Sequence, residues 1–87
     1  MAYRVQIKAP ALKSLKKISE PDQSRIMRRV DALADDPRPA GVKKLQGADD
    51  LYRLRLGASR VIYQIQDDIL LVLVVRIGHR KEIYRQR

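Results

Sequence analysis

Apolar and polar positions alternate at the start of the chain, with Tyr3, Val5 and Ile7 interleaved by Arg4, Gln6 and Lys8. A period of two predicts a short strand with one buried face. Ala9-Pro10 then predicts a helix start, since proline is tolerated in the first turn. Ala11, Leu12, Leu15 and Ile18 recur at helical spacing beside Lys13, Lys16 and Lys17. Ser19-Glu20-Pro21-Asp22 breaks that helix and opens a second, whose stripe is Ile26, Met27, Val30, Leu33 and Ala34. Asp35-Asp36-Pro37-Arg38-Pro39 ends it, because a residue before proline avoids the helical region. Two helices joined by a tight turn are expected to pack as a hairpin on one sheet face.

The second half reads as strands. A loop rich in Pro, Gly and Asp runs from Pro37 to Asp50, with Leu45 as its expected anchor. Strands are predicted at Leu51 to Leu56, Arg60 to Gln66 and Ile69 to Ile77, with Gly57-Ala58-Ser59 and Asp67-Asp68 as turns. Ile69 to Val75 lacks polar alternation and is expected to be a central strand covered on both sides. The order βααβββ over a single domain, residues 1–87, predicts the α+β class.

The register of the first hairpin bears on function, because a slip of one residue turns a whole strand over. With Leu56 opposite Val61, Leu54 opposite Tyr63 and Tyr52 opposite Ile65, one face is apolar. Arg53, Arg55 and Arg60 then share the other face with Ile62 and Gln64. Leu56 opposite Arg60 would mix arginine and apolar residues on both faces, so sorting favours the first register. Like charges on adjacent strands oppose folding by roughly 0.2 to 1 kcal/mol per close pair. The plainer alternative is that each arginine lays its stem over apolar surface and pairs with Asp49, Asp50, Asp67 or Asp68.

Charge enlarges this picture without localising it. The chain carries 19 Lys plus Arg against 10 Asp plus Glu, a net +9, so polyanions should bind it. The excess is spread evenly over both halves. No cysteine is present, which excludes disulfides and thiolate chemistry, and no apolar stretch approaches the roughly 20 residues of a membrane span. A soluble, cytoplasmic protein without membrane association is expected. The Asp doublets 35/36, 49/50 and 67/68 fall where the chain turns and are read as turn formers; no metal and no cofactor are expected. Residues 76–87 gather the only histidine, His79, with Tyr84 and five basic side chains against one acid. Guanidinium groups can hold phosphate, a ring can stack on a base, and an imidazole can move a proton. The plainer readings are a surface histidine and a tyrosine packed on the sheet.

Five segments in order carry a resemblance: Lys44-Leu45-Gln46-Gly47, Leu51-Tyr52-Arg53-Leu54-Arg55-Leu56, Arg60-Val61-Ile62-Tyr63-Gln64, Ile77-Gly78-His79-Arg80, and Tyr84. Together they resemble the RelE toxins of bacterial toxin–antitoxin pairs, over essentially the whole chain. The resemblance implies a small antiparallel sheet with the N-terminal two-helix hairpin on one face. It also implies a ribosome-dependent endoribonuclease that cuts messenger RNA in the decoding site, with the 2′-hydroxyl attacking the adjacent phosphate. Its implied partners are a RelB-like antitoxin and the ribosome with bound messenger.

Carried over by position, Arg53 and Arg55 stand where the family places basic residues, one of them proposed as general base. Arg60 matches a phosphate-steadying arginine, Arg80 one assigned to transition-state charge or the leaving group, and Tyr84 a tyrosine that orients the nucleotide. Lys43, Lys44, Lys81 and Arg85 are further basic positions expected to bind RNA. This chain departs from well-known members that have lysines at positions 53 and 55. Arginine does not readily deprotonate, so the proton is expected to go to His79, or to Lys81, or to water or RNA with catalysis resting on charge stabilisation. The runner-up is a ParE-like toxin that poisons DNA gyrase by binding, and the third reading a catalytically silent RNA-binding domain.

Overall fold

The computed structural model describes residues 2–47 and 50–79, the side chain of His79 excepted. Strand β1 (Arg4–Ile7) leads into helices α1 (Ala9–Lys16) and α2 (Glu20–Ala32). Four strands follow: β2 (Lys43–Lys44), β3 (Leu51–Leu56), β4 (Ser59–Gln66) and β5 (Leu71–His79). They form one sheet in the order β1-β5-β4-β3-β2.

Local chemistry accounts for the helical hairpin. Pro10 and Pro21 stand in the first turns, and Glu20 and Asp22 lie at the positive end of the α2 dipole. Neither start has a side-chain cap. The Gln23 amide instead donates 2.6 Å to the Ile18 carbonyl and 3.4 Å to that of Lys16, satisfying carbonyls that the end of α1 leaves open. Ala11, Leu15, Ile18, Ile26, Val30 and Leu33 are buried, as their spacing predicts, whereas Leu12 stays exposed. These residues pack on Leu54, Val61, Tyr63, Ile65, Val72, Val74 and Ile77, so the helices cover one sheet face and the core lies between.

The sheet is mixed, differing from the all-antiparallel expectation. The β2–β3, β3–β4 and β4–β5 pairs are antiparallel, but β1 runs parallel to β5, Val5 opposite Val72 and Ile7 opposite Val74. Edge strand β1 thereby sets its apolar phase, Val5 and Ile7, beside the helix-covered positions Val72 and Val74 of β5, an interior strand of the sheet whose centre is β4. Two-residue β2 adds a strand inside the expected 37–50 loop, and Leu45 helps hold that loop, its amide donating 2.9 Å to the Leu51 carbonyl.

Two boundaries are corrected. Ile69 is not in a strand: Asp67–Ile69 form a 3₁₀ turn, Ile69 is 52% exposed, and Leu70 adopts φ 53° before β5 begins. The apolar run is one element in composition but two in space, since its first residues turn the chain. The β3–β4 hairpin pairs Leu56 with Ser59, Leu54 with Val61 and Tyr52 with Tyr63, two residues away from the expected register. Its loop is Gly57-Ala58 alone, with Gly57 at φ 59°, the positive φ that tight hairpin loops demand. A shift of two preserves the faces, so the arginines remain sorted as expected.

Candidate functional site

Each residue of β3 and β4 alternates between the helix-covered face and an open one. On the open face the register builds two rows across the sheet. One runs Lys43, Arg53, Ile62, Arg76; the next runs Arg55, Arg60, Gly78. Arg55 and Arg60 are direct cross-strand partners, and Arg53 and Arg76 flank Ile62. Arg55, Arg76 and Lys43 are exposed, Arg53 is half-buried, and Arg60 is 9% exposed and engaged by a neighbouring group. Gly41, Lys43, Arg53 and Arg55 line a shallow concavity of about 120 Å³.

No carboxylate occupies the open-face positions of β3, β4 or β5. Among the described residues one ion pair is present, and it lies elsewhere: Arg38 Nη2 to Asp67 Oδ2 at 2.9 Å. Asp67 thus pairs with Arg38, and not with Arg53, Arg55 or Arg60 as the plainer alternative allowed. Arg38 also donates 3.1 Å to the Tyr52 hydroxyl and lies 5.3 Å from the centre of that ring, which stacks on Tyr63 at 5.9 Å. Tyr3 donates to the same Asp67 carboxylate, and the Tyr63 hydroxyl donates 2.7 Å to the Pro37 carbonyl. Arg38, followed by Tyr3, holds the Asp67 carboxyl below its usual range, while burial pushes the Tyr63 hydroxyl up to about 12. This cluster fastens the Pro37–Pro39 segment to β1, β3 and the turn before β5. The two prolines around Arg38 are its one sequence signal, since they limit how that side chain can be presented.

Several expected site residues thus come together: Arg53, Arg55, Arg60 and Lys43. Lys44 does not, because it pairs with Tyr52 and so belongs to the opposite phase of the edge. The backbone of His79 pairs with Ser59, a position in the phase of Ile77 rather than of Gly78. Arg80, Lys81, Tyr84 and Arg85 lie outside the described residues. Arg76 was not among the expected site residues. The physical capability of the open face is plain: fixed guanidinium donors in a concavity suit a phosphate or another compact anion. Among the described residues no group of three or more His, Cys, Asp or Glu gathers to hold a metal ion, and no helix is long and apolar enough to cross a membrane.

Residues 5–84 match the family described as the ParE toxin of type II toxin-antitoxin system, parDE. The mRNA interferase toxin RelE of Escherichia coli K12 is 29% identical over 90 residues, covering 99% of this chain and 94% of that protein. The archaeal RelE–RelB complex from Pyrococcus horikoshii OT3 contains a chain that superposes with a TM-score of 0.82 at 33% identity, over 92% of this chain and 97% of that one. A chain of the intact E. coli RelBE toxin-antitoxin complex gives 0.80 at 26% identity, over 90% and 96%. With the family match spanning nearly the whole sequence and these neighbours sharing the sheet and helical hairpin, the chain belongs to the RelE/ParE toxins of type II toxin–antitoxin systems and is RelE-like among them.

Proposed function

We propose that this toxin is a ribosome-dependent messenger-RNA endoribonuclease, acting through the open sheet face. The observation that carries the reading is the row arrangement of Arg53, Arg55 and Arg60 on a face whose β3–β5 positions bear no carboxylate. The likeness to a protein named an mRNA interferase supports it. The substrate is RNA because the 2′-hydroxyl is the nucleophile. It attacks the adjacent phosphorus as its proton is lost, the bond to the 5′-oxygen breaks, and the leaving oxygen takes a proton from water, giving a 2′,3′-cyclic phosphate and a 5′-hydroxyl. Negative charge grows on the phosphoryl oxygens during attack, and guanidinium groups already aimed there stabilise the transition state more than the ground state.

Arg55 and Arg60 are assigned to the scissile phosphate, with Arg53 and Lys43 steadying the strand in the concavity. Arg80 is assigned to charge at the leaving oxygen and Tyr84 to the nucleotide, with Lys81 and Arg85 as further contacts to RNA. None of the arginines serves as the base, since guanidinium keeps its proton near neutrality. The 2′-hydroxyl proton is assigned to water or RNA, since the backbone register gives His79 the phase of Ile77 and not of the open face; a changed rate and pH profile in His79→Ala would return that role to His79. A RelB-like antitoxin would silence the toxin by covering this cationic face, in keeping with the complexes among its structural neighbours.

The test is to map messenger 5′ ends in a translation reaction containing the purified protein, with and without ribosomes. Cuts confined to ribosome-engaged messages are expected. The ParE description of the matched family favours a second reading, gyrase inhibition by binding. Intact messenger together with blocked supercoiling would establish that one instead.

A further inference from the structure

Arg76 stands in the most apolar strand of the protein, and only a local irregularity keeps it out of the core. Val72 and Val74 are fully buried beneath the helices, so regular alternation would carry position 76 to the same face. A charged side chain buried there without a partner would be strongly unfavourable. The register instead shifts between Ile62 and Tyr63: Tyr63 pairs with Val74 and Ile62 with Arg76, leaving Val75 as an extra residue, a β-bulge. Beyond the bulge the phase is inverted. Ile77 returns to the core at 2% exposure, while Arg76 and Gly78 take open-face positions beside Ile62 and Arg60.

Core packing alone does not call for this arrangement. A regular strand with an apolar residue at position 76 would fill the same place without the bulge. What the bulge accomplishes is to set a cation in the row of Arg53 and Lys43, and to set a residue without a side chain beside Arg60. Arg76 and Arg53 are two strands apart, about 10 Å between backbones, with half-buried Ile62 between them. That spacing suits two phosphates along one strand better than a single phosphate gripped from both sides.

We infer that Arg76 is a further RNA-binding residue, holding a phosphate next to the scissile one engaged by Arg55 and Arg60. The inference rests on the RNA reading given above, and it extends the binding track across β5. Arg76 is a binding residue and not a catalytic one, because it stands away from the directly opposed Arg55–Arg60 pair.

The test is the salt dependence of binding to a short 2′-O-methyl RNA oligonucleotide, which keeps its phosphates but lacks the attacking hydroxyl. Fluorescence anisotropy would compare the full chain with Arg76→Ala, Arg76→Lys, Arg53→Ala and the Arg53→Ala/Arg76→Ala double variant. Arg28→Ala, on the exposed surface of α2, serves as a control. Arg76→Ala should weaken binding roughly threefold to tenfold and flatten the log–log salt slope by about 0.7, one phosphate contact on a single strand. Arg76→Lys should restore the slope, and the slope changes of Arg53→Ala and Arg76→Ala should add, as for contacts to separate phosphates. An unchanged slope in Arg76→Ala, an equal loss in Arg28→Ala, or non-additive slopes in the double variant would each overturn the assignment while leaving the RNA reading intact. Absence of salt-dependent binding by the unaltered chain would remove both.

Discussion

Arg38 and Arg55 are both exposed arginines of this small protein, yet their surroundings are opposite. Arg38 is saturated: a carboxylate on its guanidinium, a tyrosine hydroxyl on Nε and a ring beneath it. Arg55 faces another arginine across the hairpin and lies beside a concavity lined with two more cations. In the first setting the protein supplies the anion, and the arginine fastens a loop. In the second, charge is assembled on a face whose described β3, β4 and β5 positions carry no carboxylate, an arrangement of like-charge neighbours that opposes folding and favours an incoming anion. Equal charge in the sequence therefore serves two purposes, and the cross-strand neighbour distinguishes them.

The comparison breaks most decisively on activity. Arg55→Ala should lower the cleavage rate on ribosome-engaged messenger about a hundredfold to a thousandfold, as loss of one transition-state donor does, whereas Arg38→Ala should leave it nearly unchanged. Single-turnover cleavage read by 5′-end mapping checks both, and equal losses would erase the distinction. Next in size is Tyr63→Phe, which removes the hydrogen bond to the Pro37 carbonyl and should cost about 0.5 to 1.5 kcal/mol in denaturant unfolding.

The same substitution has a signature in alkali. The folded state raises the Tyr63 hydroxyl from 10.0 to about 12, so its contribution is complete below pH 10 and is lost as pH rises through about 12. Thermal midpoints of the unaltered chain should fall across that window, and Tyr63→Phe should flatten the fall.

A smaller effect carries the opposite sign. Arg55→Gln relieves a like-charge cross-strand pair and should stabilise the fold by about 0.2 to 1 kcal/mol even as cleavage fails, a gain that chemical denaturation would detect. The smallest effect belongs to Arg38→Ala. Its partner Asp67 is held low in the folded state, so the contribution of the pair is present above pH 3.8 and is lost as pH falls through the folded value. Because the pair is exposed and screened, the variant should differ slightly from the parent near neutrality and converge with it in acid or high salt.

Much of this was legible in the residues. The helical stripes name the buried positions of α1 and α2, with Leu12 exposed and Met27 and Ala34 only half-buried, and the alternation of β3 and β4 sorts Arg53, Arg55 and Arg60 onto one face. The exact register was not legible, because a shift of two preserves both faces and leaves the hydrophobic pattern indifferent. Lys43 and Lys44 looked equivalent as neighbours in sequence, and a two-residue strand divided them between phases. Arg76 was passed over because an apolar run does not disclose where its phase inverts. The partner of Asp67 was hidden for a different reason: it comes from a loop 29 residues away, and only the closed fold brings the two together.

Local alternation and spacing by themselves determined the two helices, the strands other than β2, the buried faces and the cationic character of the open one, since each depends on periods of two or 3.6 residues that any short window contains. Tertiary structure decided the parallel seating of β1 on β5, the hairpin loop of two residues, the Arg38–Asp67 fastening and the bulge that turns Arg76 outward. These depend on which distant segments meet and on how a whole sheet closes over its core. The free energy of that choice is shared among many residues, so no single stretch of the chain records it.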